Sequence, residues 1–338
     1  MTARTILVVH PGSLGDVLLS RPALRALRTT FQKHELGLIV SGGIGGLLEA
    51  AGEVTAAFAM ETNALTGLMA RSASFSQPVC RWVERCDVAV CWMNDAGGRL
   101  ESALAERGVA RVVMQSPHSV GEPSHHQAER FLETLQLIVP RGDVPDPSLQ
   151  LPQGLMDEGR ARLTRIGASE SQVVVALHPG SGSFHKCANP ALFRRTIEWL
   201  DTRGAVPVLI SGPADDVMVA AVSSGCLKPP MILRDLSIAE VAGVLSQVQL
   251  FIGHDSGLTQ LAAATSIPTI AVFGPTSTQR WAPRGHHVKI LTGAACQCQE
   301  WETVQACLEK RCLHVSPETL QVACEEMLRK HLATNLFV

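Results

Sequence analysis

The chain has 338 residues, 46% of them apolar and 18% charged, with a formal net charge of −2. That balance excludes a disordered chain and offers no bulk charge for gripping nucleic acid. No apolar run reaches the roughly 18 residues that a membrane helix needs, and the N-terminus lacks the apolar segment and cleavage site of a secretory signal.

The sequence therefore reads as a cytoplasmic protein. Its ten cysteines are then reduced thiols or metal ligands rather than disulfides. The length exceeds what one hydrophobic core usually serves, so two domains are expected.

In the first half, short runs rich in Val, Ile and Leu fall at TILVVH, ELGLIV, VTAAF, DVAVCW and ARVVM. Turn formers bound each run, so each reads as a strand. Helical patterns lie between them over 15–28, 97–108 and 124–139, with Pro22 predicting a kink or a restart in the first. Continuous apolar strands separated by helices predict a parallel sheet covered on both faces. The proline-containing stretch 141–154 reads as an interdomain linker. The second half repeats the rhythm. Strands are expected at VVVALH, AVPVLIS, PMILRD, VQLFIG and PTIAVFG, and helices over 189–201, 213–224, 237–246, 256–264 and 317–330. The expected domains are 1–150, 151–315 and a closing helix in 316–338. In doubly wound sheets, ligands sit beyond the carboxyl ends of the strands, where strand order reverses. A central cleft between the two domains is the natural site.

The turns carry the chemistry. VVHPGS at His10 and ALHPGS at His178 lie half a chain apart and each follow a strand. The second turn adds Ser181, Gly182 and Lys186, a set of glycine, hydroxyl and ammonium that suits a diphosphate. It fits neither the P-loop nor the GxGxxG spacing. His254-Asp-Ser-Gly opens a helix after VQLFIG. There Asp255, Ser256 and Gly257 either build an anion site at the positive helix end or only cap it. The opening turn has no lysine but places Asp16 at a helix start, where it reads as a helix cap or as an ionised general base. A base in one half and a diphosphate cradle in the other suit a group-transfer enzyme whose leaving group is a nucleoside diphosphate.

Five stretches, ILVVHPGSLGDVLLSRPALRALR, VVVALHPGSGSFHK, VLISGPADD, LFIGHDSGLTQLAAATSIPTIAVFGPTSTQRWAPRG and CLHVSPETL, occur in an order that resembles glycosyltransferase family 9, the heptosyltransferases of lipopolysaccharide assembly. The resemblance covers nearly the whole chain. It implies the GT-B fold, two Rossmann-like α/β domains facing a central cleft, and an inverting, metal-independent reaction without a cofactor. It implies transfer of a heptose-type sugar from a nucleoside-diphosphate donor, ADP-heptose, to a cell-envelope saccharide that is lipid-linked or protein-linked. The enzyme would then work in the cytoplasm, with peripheral contact at the inner membrane. By the resemblance, Asp16 matches the catalytic base and Lys186 the lysine that neutralises the diphosphate. Ser181 and Gly182 match positions that touch phosphate, and Asp255, Ser256 and Gly257 match the loop at the donor phosphates and sugar. Asp215 or Asp216 falls where an acidic residue meets the ribose hydroxyls, and Leu236 where an apolar side chain lies against the base. Gln260 stands where the family usually has His, Cys187 follows the lysine in place of an aromatic or Arg, and His254 replaces Asn or Val. These departures keep two alternatives open: a sugar-nucleotide-binding protein with impaired transfer, and a GT-B sugar-nucleotide epimerase or hydrolase.

Arg21, Arg25 and Arg28 share one helical face. That stripe either attracts an anionic acceptor or is a solvated face. Ser13, Arg21, Asn94 and Asp95 are assigned to the acceptor side. Cys296, Cys298, Cys307 and Cys312, with His314 nearby, form either a structural metal site or a set of free thiols, and the Cys-x-Cys opening favours thiols. His125 and His126 begin a helix and are expected on a solvated face.

Overall fold

A computed structural model describes all residues except 1–2, 63–76, 119–124, 141, 143–147, 297, 299–300 and 336–338. Most of the proposed linker 141–154 lies outside the described residues. The chain divides into two compact units, 1–150 and 151–338.

In the first unit, β1 (Arg4–Val9), β2 (His34–Val40), β3 (Ala56–Ala59), β4 (Cys86–Cys91) and β5 (Arg111–Met114) form a parallel sheet in the order β3-β2-β1-β4-β5. Its helices are α1 (Leu14–Leu19), α2 (Arg21–Thr30), α3 (Gly42–Ala50), α4 (Gln77–Val83), α5 (Arg99–Glu106) and α6 (Gln127–Glu133). Leu7, Val9, Ile39, Ala89 and Cys91 on the strands are buried against Val79, Trp82, Leu100 and Leu104 on the helices. Pro22 restarts the helix rather than kinking it. It sits in the first turn of α2, where its missing N–H costs nothing.

In the second unit, β6 (Val174–His178), β7 (Val206–Ser211), β8 (Met231–Arg234), β9 (Leu250–His254), β10 (Thr269–Phe273) and β11 (Val288–Thr292) form a parallel sheet in the order β11-β10-β9-β6-β7-β8. The helices are α7 (Gln153–Arg165), α8 (Pro190–Thr202), α9 (Asp216–Ser223), α10 (Ile238–Leu245), α11 (Gly257–Ala264), α12 (Thr278–Trp281), α13 (Trp301–Ala306) and α14 (Pro317–Asn335). Strand order reverses between β6 and β9, so the loops after those two strands meet at the position where such sheets bind ligands.

Several elements depart from the sequence reading, among them the short helices α12 and α13, which it did not expect. α7 begins inside the stretch read as linker. It meets α10 backbone to backbone: a methyl on Gly159 would fall 2.0 Å from the Gly243 carbonyl oxygen. A helix that packs through a glycine needs no wide apolar stripe, and only Gly159 and Leu163 of α7 are buried. β11 is an edge strand whose Lys289 interrupts its apolar run. The helix expected over 124–139 is regular only in α6. α14 places Leu320, Ala323, Cys324 and Met327 in the core of the second unit.

Candidate functional site

The second unit gathers its polar residues at the carboxyl ends of β6, β7, β9 and β10. The Lys186 ammonium donates to Asp255 Oδ2 at 2.8 Å, and the Thr276 hydroxyl donates to the same oxygen at 2.7 Å. The Ser181 hydroxyl donates to the Asp255 carbonyl at 2.7 Å. Three loops that are distant in sequence therefore converge on Asp255. Ser256 is the N-cap of α11, with its oxygen 3.3 Å from the Thr259 amide. The cradle thus combines an ammonium, two hydroxyls and the positive end of a helix, a combination suited to phosphate oxygens.

Behind it lies a buried pair. His178 Nε2 is 2.9 Å from Asp215 Oδ2, which also accepts from the Gly212 amide at 2.7 Å. Burial alone would raise the Asp215 carboxyl. The hydrogen bond and charge of His178 and the Gly212 amide outweigh it and hold the carboxyl below its ordinary value. His178 Nδ1 faces the Ser256 hydroxyl at 3.4 Å. Asp215 is thus engaged inside the protein, whereas Asp216 is exposed and pairs with Arg234 at 2.6 Å. Leu236 is half-buried beyond β8, and Gly182 is exposed. Gln260 is buried, its amide donating to the Trp281 carbonyl at 2.7 Å.

In the first unit, Asp16 occupies the first turn of α1. Its Oδ2 accepts from the Ser13 hydroxyl at 2.8 Å and from the Ser13 amide at 3.2 Å. His10, just before it, is buried against Trp92 and Phe131. Its Nδ1 accepts from the Gly12 amide, and burial lowers its pKa to about 4. Asp16, Ser13 and His10 therefore cluster after β1, beside the reversal of strand order between β1 and β4.

The remaining acceptor-side expectations fare differently. Arg21 is neither an exposed anion attractor nor on a solvated face. It is 1% exposed and donates to Glu53 Oε1 at 2.7 Å, and Arg25 reaches the same oxygen at 2.6 Å. Both guanidinium groups also meet the Ser148 carbonyl. Asp95 caps α5, accepting from the amides of Arg99, Leu100 and Glu101. Asn94 is exposed. His126 is buried as the N-cap of α6, not solvated.

Among the described residues, no group of three or more His, Cys, Asp or Glu side chains is arranged to hold a metal ion. The Cys298 amide donates to Cys296 Sγ at 3.4 Å. That bond leads a set, with further bonds from the Cys298, Cys312 and Cys307 side chains, that holds the Cys296 thiol below its ordinary pKa. Elsewhere burial pushes Cys86 and Cys187 up to about 11, and Cys91 and Cys324 up to about 12.

The sequence reading gave no role to Thr276, and it named His178 and His254 only as strand ends beside the turns. Their signal was faint: a threonine in a loop and two histidines ending apolar strands.

The chain matches the profile of glycosyltransferase family 9 (heptosyltransferase) over residues 95–312, more than half its length. It belongs to this family. It is therefore a glycosyltransferase. It is 24% identical over 293 residues to lipopolysaccharide heptosyltransferase 3 of Escherichia coli, covering 80% of this chain and 83% of the relative. Its fold is similar to that of the family 9 glycosyl transferase from Veillonella parvula, with a TM-score of 0.80, 16% identity and 98% of each chain covered. It is also similar to E. coli ADP-heptose lps heptosyltransferase II, with a TM-score of 0.77, 16% identity, and 96% and 99% of the two chains covered. Two parallel doubly wound sheets match the GT-B architecture of those heptosyltransferases.

Proposed function

We propose that this family 9 enzyme transfers a heptose-type sugar from ADP-heptose to a cell-envelope saccharide, with inversion at the anomeric carbon and without a metal ion or other cofactor. The observation that carries the reading is the convergence of Lys186, Ser181, Thr276 and the start of α11 around Asp255. The ADP-heptose in the name of a structural relative supports the choice of donor.

In this mechanism, Asp16 accepts the proton of an acceptor hydroxyl as that oxygen attacks the anomeric carbon. The bond from that carbon to the diphosphate oxygen breaks as the new one forms. The electron pair goes to the diphosphate, whose added negative charge Lys186 and the α11 end stabilise. No described helix is long and apolar enough to cross a membrane. Separately from that observation, we propose that the enzyme meets a lipid-linked or protein-linked acceptor at the cytoplasmic face of the inner membrane.

The test is mass spectrometry of ADP-heptose incubated with the enzyme, with and without cell-envelope extract. Heptose on an extract component, together with free ADP, is expected only when extract is present. ADP-heptose that binds but stays intact in both arms would point to the impaired-transfer reading, which the engagement of Gln260 with Trp281 favours. Donor consumed without extract would make the enzyme a hydrolase or epimerase.

A further inference from the structure

We propose that His254 is a positioning residue for the transfer reaction: its imidazole staples together the two ends of the loop that carries Ser181 and Lys186. The inference rests on reading that loop as the diphosphate cradle.

His254 ends β9 and is completely buried. Its Nε2 lies 2.9 Å from the Ala188 amide nitrogen, and its Nδ1 lies 3.4 Å from the Gly180 carbonyl oxygen. An amide N–H can only donate, so Nε2 is the bare nitrogen. The ring proton then sits on Nδ1, facing a carbonyl that can only accept. One neutral tautomer satisfies both contacts, and burial, the largest influence on this ring, lowers its pKa to about 3 and keeps it neutral. Phe193 packs against the ring, with centroids 4.9 Å apart.

Gly180 and Ala188 bracket Ser181 and Lys186. The staple therefore closes the base of the loop that presents both phosphate-facing groups. It also comes from the strand that continues into Asp255 and Ser256, so one strand end sets both sides of the cradle. Other tethers act on the loop's body rather than its base: the Lys310 ammonium donates to the Phe184 carbonyl at 2.9 Å, and the Ser181 hydroxyl to the Asp255 carbonyl. A side chain at 254 needs one donor and one acceptor. Asparagine has both, and phenylalanine fills the volume with neither.

The experiment compares wild type, His254→Asn and His254→Phe by calorimetry, with ADP and inorganic pyrophosphate as probes and with thermal midpoints recorded. His254→Phe is expected to bind both probes about tenfold more weakly, the size of one or two lost hydrogen bonds, and His254→Asn to retain most of the affinity. In turnover, the KM for the sugar nucleotide rises in His254→Phe while the acceptor KM holds. A folded His254→Phe that binds ADP as wild type does, or a His254→Asn as weak as the phenylalanine variant, overturns the proposal. Nitrogen NMR of histidine-labelled wild type reads the staple even where variants fail to fold. A protonated Nδ1 and bare Nε2 at His254 are expected, and the opposite tautomer overturns the staple. Wild type that binds neither probe overturns the cradle itself. The tautomer result then tells which of the two ideas has failed.

Discussion

Asp16 gives one carboxylate two duties. It accepts two hydrogen bonds from Ser13 at the start of α1, and in the proposed mechanism it takes a proton. Substitution separates them. Asn retains an acceptor oxygen for Ser13 but cannot serve as a base, so Asp16→Asn should keep its stability within about 1 kcal/mol of wild type. Its turnover should fall by about 10²–10⁴-fold, the usual contribution of a general base. Steady-state rates together with ADP titration check this: lost turnover with unchanged ADP affinity is the expected pair, and unchanged turnover removes Asp16 from the mechanism.

At the scale of elements, two contacts hold helices through partners that the sequence alone did not reveal. The first fixes α2 against the turn after α3. Burial raises the Glu53 carboxyl, but the hydrogen bonds and charges of Arg25 and Arg21 outweigh it and bring the carboxyl below its ordinary value of 4.5. A carboxyl depressed in the folded state adds stability above its unfolded value and loses it as pH falls through the folded one. This contribution is therefore complete at neutral pH and disappears in acid below pH 4.5. Glu53→Gln should destabilise by about 3–5 kcal/mol at pH 7, because it removes the negative charge that compensates the buried Arg21 guanidinium, and the loss should shrink toward acid. Urea unfolding at pH 7 and pH 4 measures both. The second contact is the crossing of α7 and α10. With the carbonyl of Gly243 2.0 Å from where a methyl on Gly159 would lie, the helices must separate to admit it. Gly159→Ala should cost about 1–3 kcal/mol, despite alanine's better helix propensity. A midpoint at or above that of wild type would show that the helices can part freely.

Across the whole molecule, the parallel sheets were legible because their strands are buried on both faces and so appear as unbroken apolar runs, as in β1 and β9. α7 was not legible, because a glycine contact left no apolar stripe to read. The site divides along the same physical line. Lys186 and Ser181 were legible because ammonium, hydroxyl and glycine within one turn already suit an anion, and Asp255 because it stands at a helix start after an apolar strand. His178 and His254 were not, because their meaning lies in partners 37 and 66 residues away. The arginine stripe of α2 was read correctly as one face, and Arg28 is exposed on it, but Arg21 and Arg25 were given the wrong surroundings, since nothing in the spacing reveals that Glu53 waits beneath them. The proposed metal independence has a whole-enzyme check: turnover should survive exhaustive dialysis against EDTA, and loss restored by one added divalent cation would refute it.

The ten thiols also have a practical consequence. At neutral pH those pushed up by burial, such as Cys91 and Cys324, stay protonated and shielded, whereas Cys296 is half-buried and held toward its thiolate. Brief iodoacetamide treatment of the native protein should therefore alkylate Cys296 well before Cys91 or Cys324, as peptide mapping would reveal. That selectivity would give a handle for attaching a fluorophore to the second unit without unfolding it.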